Sequence, residues 1–236
     1  MEKEKYYIIM ADIIGSGKHN AYELMRDFND VINSINTENK ERLLSPLTIT
    51  LGDEFQGISS SIQDAIVLMI KIEEKIIHLQ KNLKLRYVLY HGEIDTEINQ
   101  NIAHGMLGKG LTNARYLLES LKKERKDRFI INIDSNPYLT EVLDLAFVGF
   151  QSIVDDWRPK DFEVVSPFLQ LNNIKGDYKV VADKIGKDSS SVFRRKNSLQ
   201  IHQYFSSRKL LINLTKSIDN NIVPISEEEM LEISCG

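Results

Sequence analysis

The chain has 236 residues, with 30 lysines and arginines against 34 aspartates and glutamates, and a single cysteine. One cysteine excludes a disulfide-stapled secreted fold and a cysteine-based zinc site. A hydrophobic content of 42% with 27% charged residues excludes a mostly disordered chain and is typical of a globular protein. The apolar run after Lys5 is only about five residues long, shorter than the core of a signal peptide. We therefore expect a cytoplasmic protein that does not enter a membrane.

Charge is distributed unevenly along the chain. Residues 1–156 carry 18 basic and 24 acidic side chains, residues 157–218 carry 12 and 5, and residues 219–236 carry 0 and 5. This division predicts two domains, 1–156 and 157–218, followed by an acidic tail. A basic second domain favours an anionic partner such as nucleic acid. A helical segment with a solvated basic face would have the same composition, and that alternative stays open.

The first predicted domain alternates strands and helices. Apolar spacing and turn residues predict these elements in chain order: a strand at 6–10, a helix at 24–35, a hairpin of 47–51 and 55–58, a helix at 61–77, a strand at 83–90, a helix at 112–123 and a strand at 129–133. Ser61 is expected to cap the second helix. Alternation with one internal hairpin is typical of an α/β layer domain.

The pattern from Trp157 onward is helical. Residues 178–192 predict a short helix, a turn at Gly186 and a second helix beginning at Asp188 or Ser189. This arrangement resembles a helix-turn-helix, although Arg195 stands where such units usually have an apolar residue. Groove and phosphate contacts are predicted from the second helix, by Ser189, Ser190, Arg194, Arg195 and Lys196. A purely structural helical bundle is the alternative, and residues 201–214 predict a last packing helix.

Two aspartates stand at strand ends in this scheme. Asp12 closes the first strand, and Asp53 lies at the hairpin tip. If the hairpin pairs beside the first strand, both carboxylates reach the same edge of the sheet. Paired carboxylates suit Mg²⁺, which prefers hard oxygen ligands, and without a cation they would repel one another. The alternative is that both are ordinary turn residues.

Four sequence blocks resemble, in the same order, segments of the class III nucleotide cyclases and their diguanylate cyclase relatives. The blocks are Ala-Asp-Ile-Ile-Gly at 11–15, Leu-Gly-Asp-Glu-Phe at 51–55, Leu-Arg-Tyr-Val-Leu-Tyr-His-Gly-Glu-Ile at 85–94 and the segment 110–120. A cyclase-like domain followed by a basic helical domain is similar, more narrowly, to the bacterial SatD family. The resemblance implies a ferredoxin-like palm sheet with helices, followed by a small all-α helix-turn-helix domain.

The resemblance also implies a site for a nucleoside triphosphate and Mg²⁺ or Mn²⁺. By position, Asp12 and Asp53 match the catalytic metal-binding carboxylates, and the Ile13 carbonyl assists them. Glu54 is either a third ligand or a charged hairpin residue, and Asn113 matches a catalytic asparagine. The residues expected near the phosphates are Ile14, Gly15, Ser16, Lys18 and Lys109. Because cyclase sites commonly form between two copies, the resemblance further implies a homodimer.

Two positions depart from the cyclase pattern. Leu117 stands where the family has an arginine, and Ile49 stands where it has a purine-selecting lysine. A transition-state cation is then missing unless Lys18, Lys109 or Arg115 replaces it. The leading hypothesis is a metal-dependent cyclase or nucleotidyltransferase coupled to DNA binding. The alternative is a transcription regulator without enzymatic activity, in which a degenerate cyclase-like domain senses a nucleotide or mediates dimerisation.

Overall fold

A computed structural model of the protein describes residues 4–18, 20–124, 127–171 and 178–219. The strands are β1 (Lys5–Ile13), β2 (Leu43–Ile49), β3 (Glu54–Ser59), β4 (Leu85–Glu93) and β5 (Phe129–Ile133). The α-helices are α1 (Ala21–Glu38), α2 (Ile62–His78), α3 (Lys109–Glu124), α4 (Pro137–Val154), α5 (Phe162–Leu171), α6 (Tyr178–Ile185), α7 (Ser189–Ser198) and α8 (Ile201–Asp219). None of the helices described is long and apolar enough to cross a bilayer.

The five strands form one sheet in the order β2-β3-β1-β4-β5. β1 lies at the centre and pairs antiparallel with both β3 and β4, while β5 joins β4 in parallel. The connectivity β1-α1-β2-β3-α2-β4 is that of a ferredoxin-like sheet, here widened by β5. The expected mixed α/β sheet with an internal hairpin is confirmed.

The β2–β3 hairpin begins earlier than the sequence pattern indicates. We expected its first strand to start after Pro46, but β2 begins at Leu43 and contains the proline. β2 is the edge strand of the sheet, and its register with β3 shifts on both sides of Ser45. A proline is tolerated there because an edge strand does not need every backbone N–H for pairing.

The two faces of the sheet have different apolar layers. Ile9, Ala11 and Ile13 alternate along β1 toward the core that contains α1 and α2. Ile8 and Met10 point to the opposite face, which α3 covers. A strand displays successive side chains on opposite faces, so Asp12, two residues after Met10, belongs to the α3 face.

The start of α3 lies unusually close to β4. A Cβ on Gly110 would lie 2.8 Å from both the Glu93 carbonyl oxygen and the Gly92 carbonyl carbon. Only glycine at this position permits that approach, which fixes where α3 begins on the sheet.

α4 is the largest element that the sequence patterns did not predict. It protects the free edge of β5 with side chains: Asp144 and Thr140 accept hydrogen bonds from the backbone N–H groups of Ile131 and Ile133, at 2.8 and 2.9 Å. These N–H groups face away from β4, so α4 takes the place of a further strand.

The C-terminal helices continue the core of the sheet. Tyr204 and Leu211 of α8 belong to the same apolar cluster as α2 and α4, and α8 packs directly on both helices. The Trp157 indole donates to the Leu199 carbonyl oxygen at 2.8 Å. These residues therefore do not show the expected separate all-α domain. The boundary after Asp156 remains a prediction.

The two short helices and the turn predicted from residues 178–192 form where expected, and their identity as a helix-turn-helix stays a prediction. α6 ends at Ile185, Gly186 follows with a φ of 63°, and Asp188 caps α7 by accepting from the Ser191 N–H at 2.8 Å. Val181, Ala182 and Val192 are buried between the two helices. Apart from Asp219, the acidic tail 219–236 lies outside the residues described.

Candidate functional site

The three acidic residues of the predicted site meet at one edge of the sheet. Asp12 is paired with Glu54 across the β1–β3 ladder, and Asp53 lies in the turn just before it. The Ile13 N–H donates to the Asp53 carbonyl oxygen at 2.9 Å. Asp12 and Glu54 are 2% and 6% exposed, whereas Asp53 is half-buried. Strand pairing thus brings these carboxyl groups together, two of them almost out of contact with water.

Three basic side chains surround these carboxylates. Arg86 lies opposite Asp12 on β4, with its Nε 3.2 Å from Asp12 Oδ1. Lys122, near the end of α3, places its Nζ 2.6 Å from Glu54 Oε1 and 4.0 Å from Asp12 Oδ2. Arg115 on the same helix has Nη1 3.5 Å from Glu54 Oε2. The site therefore combines negative and positive groups rather than acids alone.

The buried position of Asp12 changes its ionisation. Burial raises the pKa of the Asp12 carboxyl to about 6, with Arg86 and Lys122 opposing the rise and Asp53 and Glu54 adding to it. Burial lowers the pKa of Lys122, but hydrogen bonds to Glu119 and Glu54 outweigh it, so the pKa rises to about 12. Burial therefore disfavours the ionised form of Asp12, whereas the neighbouring carboxylates stabilise the charged form of Lys122.

The loop after β1 contacts the hairpin tip. Gly15 has a φ of 73°, a conformation that favours glycine, and it turns the chain into a short 3₁₀ helix, Ser16–Lys18. The Ser16 hydroxyl then donates to Asp53 Oδ2 at 2.6 Å. Of the predicted phosphate-facing residues, Ser16 thus contacts Asp53, and Ile14 and Gly15 immediately precede it in the chain. The side chain of Lys18 is outside the part of the chain that the structure describes.

Asn113 and Lys109 lie toward the other end of the sheet within one chain. The Asn113 amide donates to the Tyr90 hydroxyl at 2.9 Å, and Tyr90 pairs with Ile8 of β1. Ile8 precedes Asp12 by four strand residues, which is roughly 13 Å. Lys109 is exposed at the first turn of α3, one helical turn before Asn113. A single chain therefore does not bring these two residues to Asp12.

A metal ion fits the oxygen atoms of this site only in part. Asp12 Oδ1 is buried and lies 3.2 Å from Arg86 Nε in an ion pair, without a hydrogen bond of good geometry from any residue described. Across the four segments that the structure describes, however, no three His, Cys, Asp or Glu side chains form a metal-binding group. Mg²⁺ is commonly held by one or two carboxylates together with phosphates and water. Asp12 and Asp53 meet that smaller requirement, whereas Glu54 is engaged by Lys122.

Arg86 and Lys122 were not among the residues that sequence patterns predicted for this site. Arg86 is a charged residue near the start of a largely apolar strand, on the face shared by Val88 and Tyr90. Lys122 continues a helical stripe that begins at Arg115 and passes through Glu119. Both signals exist in the sequence, but their meaning depends on strand register and on which face α3 covers.

Most of the residues predicted to contact DNA make contacts within the protein. Ser190 donates to the Asp188 carboxylate at 2.6 Å, Arg195 pairs with the buried Asp161, and Lys196 lies over the Phe168 ring at 5.7 Å. The pairing with Asp161 explains why a cation occupies the usual apolar position at 195. Ser189 is half-buried, and Arg194 is exposed.

Arg194 borders a basic groove between α7 and the start of α5. The groove has a volume of about 520 Å³. Its polar and charged lining consists of Lys160, Lys187, Ser191, Arg194, Arg195 and Ser198. Lys187 is paired with Glu163 at 2.5 Å.

Comparison with known proteins identifies one family and several distantly similar solved structures. The model of the SatD family matches residues 6–215, and no curated protein matches the chain. Among solved structures, the chain is similar to a bacterial light-regulated adenylyl cyclase, with 16% identity over 56% of this chain and 77% of that one and a TM-score of 0.39. The catalytic core of a rhodopsin-guanylyl cyclase with converted specificity, in complex with ATPαS, has 15% identity over 56% and 80%, with a TM-score of 0.34. A monomeric guanylyl cyclase domain from the aquatic fungus Blastocladiella emersonii has 13% identity over 56% and 84%, with a TM-score of 0.35.

Proposed function

The chain belongs to the SatD family, and we propose that it is a metal-dependent nucleotide-binding protein that acts as a cyclase or nucleotidyltransferase. One observation carries the proposal: Asp12, buried and ion-paired with Arg86 without a hydrogen bond of good geometry, lies beside Asp53 and the Gly15–Ser16 turn. A buried anion is costly to a fold. A buried aspartate at a strand end, next to a second carboxylate, is typical of a functional site rather than a structural one.

Each residue of the cluster has a distinct role in this proposal. Asp12 and Asp53 would hold Mg²⁺ or Mn²⁺, which when bound neutralises phosphate charge and promotes ionisation of an attacking hydroxyl. Ser16 orients the Asp53 carboxylate, and Arg86 keeps the Asp12 carboxylate ionised. Among the cations considered as replacements for the arginine missing at Leu117, Arg115 is half-buried with its Nη1 3.5 Å from Glu54 Oε2.

The test is incubation of the protein with each labelled nucleoside triphosphate and Mg²⁺ or Mn²⁺. Products are read by chromatography and retained ligand by filter binding. The Asp12→Ala/Asp53→Ala variant should lose both signals, whereas Asp156→Ala, at an exposed position, should keep them. Retention without a product would support the alternative, a nucleotide sensor without turnover. Neither retention nor product in the wild type would refute the proposal.

A homodimer completes the site in this proposal. Asn113 is too far from Asp12 to act with it inside one chain, so the asparagine would come from a second copy. Mixing Asp12→Ala and Asn113→Ala proteins should restore partial nucleotide binding or turnover that neither has alone. A monomer by sedimentation that still binds nucleotide through Asn113 would contradict the dimer.

The basic groove supports nucleic-acid binding as a second candidate function. Lys160 and Arg194 both line this groove, and cations of this kind make the phosphate contacts of nucleic-acid binding. The double variant Lys160→Ala/Arg194→Ala should weaken binding of a labelled DNA duplex. The slope of log affinity against log salt concentration should become shallower by about two, since two phosphate contacts are lost. Lys209→Ala on α8 is the matched control. Equal binding by all three proteins would exclude the groove, and preference for single-stranded RNA would exclude duplex DNA as the partner.

A further inference from the structure

We propose that the Lys122 ammonium group is the resident counterion of the carboxylate cluster, and that a divalent cation enters the site by displacing it. This inference rests on the proposed function, since it concerns how the same site accepts its metal ion.

The position of Lys122 carries the argument. Its Nζ lies 2.6 Å from Glu54 Oε1, 2.8 Å from Glu119 Oε1 and 4.0 Å from Asp12 Oδ2. One positive charge thus touches two carboxylates and faces a third. Beyond Asp12 and Asp53, Glu54 can become a further ligand only once Lys122 releases it, and an ion bound to both Asp12 Oδ2 and Glu54 Oε1 would have metal–oxygen distances of about 2.0 to 2.2 Å. Such an ion would lie next to the ammonium group, which is itself 2.6 and 4.0 Å from the Glu54 and Asp12 oxygens, against the repulsion of a like charge.

The surroundings of Lys122 allow its ammonium group to leave the carboxylate cluster. Its side chain is 29% exposed, whereas those of Asp12 and Glu54 are 3% and 7% exposed, so the lysine is the solvent-facing member of the cluster. Glu119, whose side chain is 52% exposed, lies one turn earlier on α3. Lys122 can release Glu54 while keeping Glu119, because a lysine stem is flexible and its ammonium carries rotatable donors.

Arg86 does not share this freedom. It lies on β4 opposite Asp12, and its side chain is 16% exposed. A guanidinium fixed by strand pairing stays beside Asp12 when the metal ion binds. Arg115 is 3.5 Å from the other Glu54 oxygen, so its departure is not required. Among the cations around the cluster, Lys122 is the one that competes directly with a metal ion.

The first experiment measures Mn²⁺ affinity by electron paramagnetic resonance of free Mn²⁺. Lys122→Met keeps most of the side-chain volume and removes the competing charge, so the apparent Kd should fall at least tenfold. Lys123→Met is the matched control, since it removes the same charge from the next, exposed position of α3. Thermal melts establish that both variants are folded.

The outcomes separate this inference from the proposed function. If the wild type binds Mn²⁺ and Lys122→Met binds no more tightly than Lys123→Met, displacement of Lys122 is refuted while the metal site stands. If neither the wild type nor Lys122→Met binds Mn²⁺, the inference and the metal dependence both fail, and nucleotide retention without metal remains a separate measurement.

A second measurement uses the wild type and does not depend on the folding of a variant. Acetylation of amines, read by peptide mass spectrometry, reports how free each lysine is. Labelling of Lys122 should rise severalfold on adding saturating Mn²⁺, while labelling of Lys123 stays constant. Unchanged labelling of Lys122 at Mn²⁺ concentrations where resonance shows the ion bound would overturn the proposal.

Discussion

Arg128 holds a buried charge cluster between the sheet and the helices, and its replacement should cost much of the stability. Its guanidinium bonds to both Glu73 oxygens at 3.1 and 2.9 Å, to the Leu85 carbonyl oxygen at 2.6 Å and to Asp155 at 2.8 Å. The side chains of Arg128 and Glu73 are 5% and 10% exposed. Arg128→Met would leave Glu73 with the Tyr87 hydroxyl, at 2.7 Å, as its remaining donor among the residues described.

The expected loss follows from this uncompensated charge. Removing one partner of a buried ion pair typically costs 3 to 5 kcal/mol, so we expect Arg128→Met to lower the free energy of unfolding by about 4 kcal/mol. For a protein of this size that corresponds to a fall in Tm of roughly 8 to 16 °C. Urea unfolding followed by circular dichroism measures the loss, with an unchanged m-value as the sign that the folded state is otherwise intact.

Two further variants decide whether charge burial is the cause. The double variant Glu73→Gln/Arg128→Met keeps a hydrogen-bond acceptor for Tyr87 but removes the unpaired buried charge. Its free energy of unfolding should therefore be about 2 kcal/mol higher than that of Arg128→Met. Lys84→Met removes a half-exposed lysine that pairs with Asp155 at 3.0 Å, and should cost less than about 1 kcal/mol. A loss below about 1 kcal/mol in Arg128→Met, or a double variant no more stable than the single one, would refute the reasoning.

Three more predictions concern the fold. Burial raises the pKa of the Asp144 carboxyl to about 6. The cost of burying its ionised form therefore lowers the stability of the folded state as the pH rises from about 4 to 6, and that cost is complete above about pH 6. In urea denaturation measured at both pH values, Asp144→Asn should raise the free energy of unfolding by about 1 kcal/mol at about pH 8 and leave it unchanged at about pH 4. Equal effects at both would contradict it. Gly110→Ala should destabilise by about 1 to 3 kcal/mol in urea melts, since the added Cβ meets the Glu93 carbonyl oxygen, whereas Gly149→Ala, where nothing lies within 4 Å, should not. A fragment ending at Asp156 should lack cooperative unfolding by calorimetry because the face covered by α8 is exposed; a sharp transition would instead support two independent domains.

Local chemistry in the sequence determined much of the fold. The i, i+3 and i, i+4 apolar spacing of α2 together with the Ser61 cap, and the short apolar run of β5, each specify an element without help from distant residues. The same holds for Gly186 and the Asp188 cap between α6 and α7. Asp12 and Asp53 could be placed at neighbouring strand ends because a hairpin beside the first strand leaves few topologies.

The tertiary structure alone decided what surrounds those carboxylates. Arg86 faces Asp12 only in the register that β1 and β4 adopt, because a slip of one residue would turn its side chain to the other face of the sheet. Lys122 reaches Glu54 only because α3 crosses the sheet from Gly110, where close packing fixes its start. Likewise Arg195 is committed to Asp161, 34 positions earlier. Periodicity reports which face a residue occupies, but not which residue it will meet, since that depends on contacts between segments far apart in the chain.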